Sequence, residues 1–253
     1  MRLLDVRGLS KRFGGLQAVS GVSFGVSEGA IKALIGPNGA GKTTLFNLIS
    51  GFLTPDTGAV LFHERPIQGL RPYEIARRGI ARTFQHIRLF PKMTSIENVM
   101  IGRHLHGKTG FVSAMLGLPG IWREDRGAKE RSLEVMEFLG ISGLADQEAT
   151  SLSYGQQRLV ELARALACEP GLLLLDEPAA GLNMRETAEM ASMISKVRDK
   201  GIAILIVEHD MSLVMNISDE IVVLNYGEKV ADDTPLAVQK HKEVVRIYLG
   251  EEE

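Results

Sequence analysis

Nine consecutive residues, Gly36-Pro37-Asn38-Gly39-Ala40-Gly41-Lys42-Thr43-Thr44, combine a flexible backbone, a long cationic side chain and two hydroxyls. They fit the spacing Gly-x-x-x-x-Gly-Lys-Ser/Thr, a loop that wraps nucleotide phosphates. The apolar run Ile31 to Ile35 precedes it and helix-compatible Leu45 to Ile49 follows, the strand–loop–helix context that the spacing needs. In such a loop, backbone N–H groups turn inward on an anion, and the helix opening near Lys42 adds its unpaired N–H groups and positive dipole end. Lys42 is placed to reach the β- and γ-phosphates, and the Thr43 hydroxyl to hold Mg²⁺.

Two carboxylates, Asp176 and Glu177, directly follow the apolar run Leu172 to Leu175. Ligands of parallel α/β sheets sit at the carboxyl ends of strands. Successive side chains point apart there, so the two acids are expected to hold different jobs: Asp176 facing Mg²⁺, Glu177 polarising a water. A solvated Asp-Glu-Pro turn is the bland alternative. Glu208-His209-Asp210 ends the next apolar run, and His209 could bond a γ-phosphate, although a lone histidine is more often structural. Leu152-Ser153-Tyr154-Gly155-Gln156-Gln157 opens a helix at a serine, which reads either as a second anion site or as an ordinary N-cap.

These residues need a scaffold. Leu3 to Val6 and Ala18 to Val26 read as short strands, with glycines as punctuation. Val60 to Phe62 and Ile80 to Phe84 add two more, with a short helix over Pro72 to Arg78. From about 86 to 168 the pattern is helical, with helices expected over Ser95 to His104, Arg126 to Leu139 and Gly155 to Cys168. In the second of these, Leu133, Met136 and Leu139 recur at helical spacing as the buried face. Leu172 to Leu175 and Ile202 to Val207 are continuous apolar runs, which suggests parallel strands covered on both faces, joined by a helix over Met184 to Lys200. Ile221 to Leu224, Tyr226-Gly227 and Lys229 to Ala231 read as a hairpin. A last helix carries Val244, Val245, Tyr248 and Leu249, before an acidic end, Glu251 to Glu253.

The chain has 253 residues, 45% hydrophobic and 24% charged, with a formal net charge of −2, so no general nucleic-acid binder is indicated. One cysteine, Cys168, excludes an intrachain disulfide and suits a reducing compartment; a small buried residue is favoured over a reactive thiol. No segment reaches the roughly 18 apolar residues of a membrane span. The N-terminus is too soon charged for a signal peptide. Phe111 to Trp122 is apolar and glycine-interrupted, a docking loop or a packed helical hairpin.

The phosphate loop, Leu152–Gln157 and Leu172–Pro178, in that order, resemble the nucleotide-binding subunit of ABC transporters over nearly the whole chain. The resemblance implies a P-loop NTPase fold of α/β class. Its core would be a mainly parallel sheet with an antiparallel β part (1–85 and 169–253), and 86–168 would be an inserted α-helical subdomain carrying the signature. It further implies ATP bound between one chain's loop and Ser153, Gly155 and Gln156 of another chain, and it identifies Glu177, His209 and Lys42 as the catalytic residues. Phe13 resembles the aromatic that stacks on adenine, although by itself it reads equally as core. Gln85 resembles the loop glutamine that touches Mg²⁺ together with Thr43 and Asp176. Tyr154 and Asn183 stand where the family more often has glycine and aspartate, departures that remove no phosphate donor.

Arg82 to Phe90, Ala179 to Asn183, Val207 to Met211 and Ile247 to Gly250 resemble, more narrowly, the longer ATPase subunit of branched-chain amino acid importers. Extra residues like Gly107 to Arg123 belong to that resemblance, and urea, amide and other amino-acid importers share much of the pattern. It implies dimerisation with itself or with a sibling ATPase, two membrane permeases, an indirect link to an external solute-binding protein, and a peripheral place on the cytoplasmic face of the inner membrane. A soluble ABC ATPase of repair or translation, and a small-molecule kinase, are the rivals. The first usually carries a second cassette or a basic surface, and the second leaves Ser153 to Gln157 unexplained.

Overall fold

The computed structural model describes residues 2–104 and 119–249, the side chains of 119–124 and of 249 excepted. The chain opens with β1 (Arg2–Phe13) and β2 (Leu16–Ser27), followed by β3 (Ile31–Ile35) and helix α1 (Lys42–Ile49). Then come β4 (Thr57–Phe62), β5 (Arg65–Pro66), α2 (Pro72–Arg77) and β6 (Ile80–Arg82). Helices α3 (Ser95–Arg103), α4 (Pro119–Phe138) and α5 (Tyr154–Leu166) lie between β6 and β7 (Leu172–Asp176). The last part runs α6 (Met184–Asp199), β8 (Ala203–Val207), α7 (Met211–Ile217), β9 (Glu220–Asn225), β10 (Glu228–Asp233), α8 (Pro235–Lys240) and α9 (Lys242–Leu249).

Two sheets result. One is antiparallel, in the order β2-β1-β4-β5. The other has the order β10-β9-β3-β8-β7-β6, parallel from β9 to β6 with β10 antiparallel at its edge. All five residues of β3, of β7 and of β8 are buried, as expected of strands covered on both faces. Alternation divides their side chains between two cores. Leu34, Leu172, Leu174, Leu205 and Val222 pack with α1 and the antiparallel sheet. Ala33, Ile35, Leu173, Leu175, Ile204 and Ile206 take the other face and pack towards α5, α6 and α7.

The sheet brings the chemistry to one edge. Asp176 of β7 pairs with Val207 of β8, and Leu34 of β3 pairs with the same Val207. The residues that follow these strands, Gly36, Glu177 and Glu208, therefore emerge side by side.

Three local readings need correction. The first two strands are long, not short: Gly8 and Gly21, with φ of 56° and 61°, sit within strands whose register shifts at bulges, so they bend the ladder instead of ending it. On α4 the buried face is Ser132 and Met136, continued by Leu139 just past its end, while Leu133 is 37% exposed. Apolar spacing named one wrong member because a serine takes the inward position. The short helices α7 and α8 were not anticipated; Asp210 caps the first, accepting from the N–H groups of Ser212 and Leu213, and Pro235 opens the second. Of the stretch Phe111 to Trp122, the part before Pro119 lies outside the described residues, as do Gly107 to Leu118 and the tail Glu251 to Glu253. Among the described residues, no helix is long and apolar enough to cross a membrane.

Candidate functional site: a phosphate loop at the sheet edge

The loop leaves β3 at Gly36. A Cβ on Gly36 would collide with the Leu224 carbonyl, and one on Gly41 would lie 2.5 Å from the Ala18 carbonyl. Gly41 has φ of 99° and is the N-cap of α1, which carries no side-chain cap. The first N–H groups of α1 thus have no partner from a capping side chain, the condition for binding an anion. The turn after β9 braces the loop from behind, with Gly227 N–H donating to the Ala40 carbonyl at 3.0 Å.

Lys42 folds back over this cradle. Its Nζ donates to the carbonyls of Gly36 and Pro37, at 2.6 and 3.1 Å. Burial lowers the pKa of its amine, and the Glu177 carboxylate opposes that shift. Thr43 is exposed, as are Asn38 and Gly39, while Ala40 is buried at the base of the loop and Thr44 is half-buried.

At the end of β7 the two acids do separate. Asp176 is buried, and its Oδ2 accepts from Arg82 Nη2 at 2.9 Å. Glu177 has φ of 49°, left-handed for a residue with a full side chain, and its N–H donates to the Val207 carbonyl at 2.9 Å. Strain of about 1–3 kcal/mol at such a position tends to mark functional sites. Glu177 Oε2 accepts from Gln85 Nε2 at 2.9 Å and lies 3.9 Å from His209 Nδ1. His209 is largely exposed, whereas Glu208 is buried beneath it, accepting from the N–H groups of Ala179, His209 and Asp210. Glu208 thus holds the backbone of the Glu177 and His209 loops together.

The signature region is built differently. Ser153 caps α5 through a capping box: its Oγ accepts from Gln156 N–H at 3.3 Å, and Gln156 Oε1 accepts from Ser153 N–H at 2.9 Å. Gly155 is buried where a Cβ would lie 2.8 Å from Glu186 Oε1. No hydrogen bond or ion pair among the described residues joins Ser153, Gly155 or Gln156 to residues 36–44. Phe13 is 46% exposed at the end of β1, with Lys11 Nζ 5.8 Å from its ring. Asn183 caps α6, accepting from the N–H groups of Arg185 and Glu186.

Two buried arginines were missed by sequence reasoning. Arg158 of α5 donates to the carbonyls of Phe84 and Gln85, at 3.0 and 2.7 Å, and to the Tyr154 hydroxyl at 2.9 Å. It therefore ties the signature helix to the glutamine loop, and it gives Tyr154 a partner. Arg82 is the other. Neither falls within the spacing of a phosphate motif, so neither carried a sequence signal beyond being charged next to one. Burial pushes the Cys168 thiol up, against Arg164 and Arg103, which fits a structural cysteine.

A mostly apolar cavity of about 390 Å³ lies between α2 and β6 on one side and α3 and α5 on the other. Phe52, Tyr73, Phe84, Ile101 and Cys168 line it.

Comparison with known proteins shows the family and the fold. A family profile described as ABC transporter matches residues 19–180. The high-affinity branched-chain amino acid transport ATP-binding protein BraF of Pseudomonas aeruginosa is 45% identical over 250 residues, 98% of each chain. Its counterpart LivG of Salmonella typhimurium is 47% identical over the same shares. A crystal structure of the ADP conformation of an ATP-binding cassette of an ABC transporter superposes with a TM-score of 0.86, at 35% identity, covering 99% of this chain and 100% of that one. This chain belongs to the ABC transporter family, as one of its ATP-binding, ATP-hydrolysing subunits.

Proposed function

We propose that this chain energises the import of branched-chain amino acids from the cytoplasmic face of the inner membrane, as a peripheral ATPase bound to two permeases. The observation that carries the reading is Glu177, held by Gln85 at 2.9 Å at the sheet edge that also bears the phosphate loop. Near-full-length similarity to two transport ATP-binding proteins supports the solute class.

ATP enters the loop, and Lys42 leaves the Gly36 and Pro37 carbonyls for the β- and γ-phosphates. Phe13, exposed at its hairpin tip, stacks on adenine. Ser153, Gly155 and Gln156 of a second ATPase chain, a copy of this one or a sibling, close over the γ-phosphate. Glu177 takes a proton as water oxygen attacks the γ-phosphorus; the bond to the β–γ bridging oxygen breaks, leaving ADP and phosphate. His209 orients that water or the phosphate. Thr43, Gln85 and Asp176 offer hydroxyl, amide and carboxylate oxygens, the hard donors that suit Mg²⁺, and would hold it. When bound, that ion supplies charge neutralisation at the phosphates.

The division into a core (1–85 and 169–253) and a helical subdomain (86–168) provides the moving parts. Arg158 links them, and the apolar cavity between α2 and α5 accepts a permease helix beside Gln85 to Phe90. Glu177→Gln tests the assignment. ATP binding should persist, turnover should fall by about 10²–10⁴, and membrane vesicles holding the assembled transporter should lose ATP-driven leucine uptake. Turnover at the wild-type rate would remove Glu177 from this role.

A further inference from the structure

Arg82 sits at the last position of β6, three residues before Gln85, and its side chain is 9% exposed. Three aromatic rings surround its guanidinium: Phe46, Phe52 and Phe84, at 5.6, 5.5 and 5.3 Å. Its Nη1 donates to Asn47 Oδ1 and Ser50 Oγ at the end of α1, both at 2.7 Å. Its Nη2 donates to Asp176 Oδ2 at 2.9 Å. Its Nε is buried without a partner, and the side chain forms part of the wall of the apolar cavity.

Burying a guanidinium among three rings is costly unless its charge is answered. Asp176 answers it with one oxygen only. Among the described residues, Asp176 Oδ1 takes no hydrogen bond. Nη2 holds that one oxygen, while Nη1, bonded to Asn47 and Ser50, anchors the rigid planar guanidinium to α1, which carries Thr43 at its start. The carboxylate and the Thr43 hydroxyl are thereby tied to one rigid unit.

We infer that Arg82 is a positioning residue for the metal-binding carboxylate: it clamps Asp176 Oδ2 so that Oδ1 faces the cation shared with Thr43. The inference rests on the reading of Asp176 as a metal ligand. Partners of this kind orient a ligand, and their loss weakens metal binding by about 10–100-fold.

The test is calorimetric titration of a non-hydrolysable ATP analogue across a series of Mg²⁺ concentrations. In Arg82→Met the Mg²⁺ needed for half-maximal enhancement of affinity should rise about 10–100-fold, with metal-free affinity for the analogue unchanged. Arg82→Lys, which keeps the charge without the fork, should recover only part of the shift. Asn47→Ala loosens the anchor at a half-buried position and should shift the dependence in the same direction by a smaller factor; it decides the matter if Arg82→Met does not fold. Thr43→Ala separates the two failures. If Thr43→Ala moves the Mg²⁺ dependence and the Arg82 and Asn47 variants do not, the Arg82 assignment falls alone. If Thr43→Ala leaves it unmoved, the metal reading and this inference both fall. Tighter Mg²⁺ binding in Arg82→Met would make Arg82 a competitor of the metal and overturn the inference.

Discussion

Helices α1 and α5 both open at residues that we propose meet phosphate, yet their N-termini are capped in opposite ways. Helix α1 starts at a left-handed glycine with no side-chain cap, and only the Lys42 amine folds over its cradle. Helix α5 starts at Ser153 inside a complete capping box, which engages the N–H groups of Ser153 and Gln156 within the chain. The first end is organised for an anion before one arrives. The second engages Ser153 and Gln156 with each other, and in the proposed dimer both would have to turn to a phosphate brought from outside. This difference suits a loop that loads ATP in a single chain and a signature that joins only when two chains close.

Breaking the α1 end should have the larger effect. Lys42→Met should lower turnover by about 10²–10³, the scale of removing a preorganised charge donor from a phosphoryl-transfer site, and should abolish the rise in melting temperature given by ATP. Steady-state kinetics and thermal melts with and without ATP check this; an ATP-induced stabilisation of wild-type size would contradict it.

Gly41→Ala comes next. The new methyl would meet the Ala18 carbonyl at 2.5 Å with φ at 99°, so stability should fall by about 1–3 kcal/mol. Urea denaturation of the nucleotide-free protein measures this, and an unchanged midpoint would show that the loop relaxes freely.

Ser153→Ala sharpens the contrast. Losing the cap should cost about 1 kcal/mol, and single-chain ATP affinity should be unaffected. Turnover should nonetheless fall by about 10–100-fold, the worth of a hydrogen bond to a charged group. Reduced ATP affinity in a dilute, monomeric sample would place Ser153 in the wrong site.

The smallest effect is on pH. Burial lowers the Lys42 pKa in the free protein, and a bound triphosphate must raise it. Affinity should therefore be flat at lower pH and decline as pH rises through the lowered value. Binding in that window takes up a proton, which calorimetry in buffers of different ionisation heat detects. The sign for stability is the reverse: a base whose folded pKa is depressed disfavours folding when protonated, so this contribution improves as pH rises between the folded and unfolded pKa values.

Much of this was legible in the sequence because the information is local. A phosphate loop is written in adjacent residues, and fully buried parallel strands announce themselves as apolar runs such as Leu172 to Leu175 and Ala203 to Val207. The acids at their ends follow from where those strands stop. What escaped was long-range. Arg82 meets Asp176 across 94 positions, and Arg158 meets Phe84 across 74, pairings no spacing rule predicts. The inward Ser132 on α4 escaped because apolar periodicity cannot flag a buried serine. The bulges of β1 and β2 escaped because a glycine that bends a strand and a glycine that ends one look alike in sequence.

The central claim is that one chain's Lys42 loop and another chain's Ser153 helix end share an ATP. Sedimentation velocity of Glu177→Gln in Mg²⁺ and ATP tests it most directly. The account predicts a shift from monomer to dimer with ATP, and none when Ser153→Ala is added to the same chain. A dimer that forms equally well without the Ser153 hydroxyl, or no dimer with ATP at all, would contradict it.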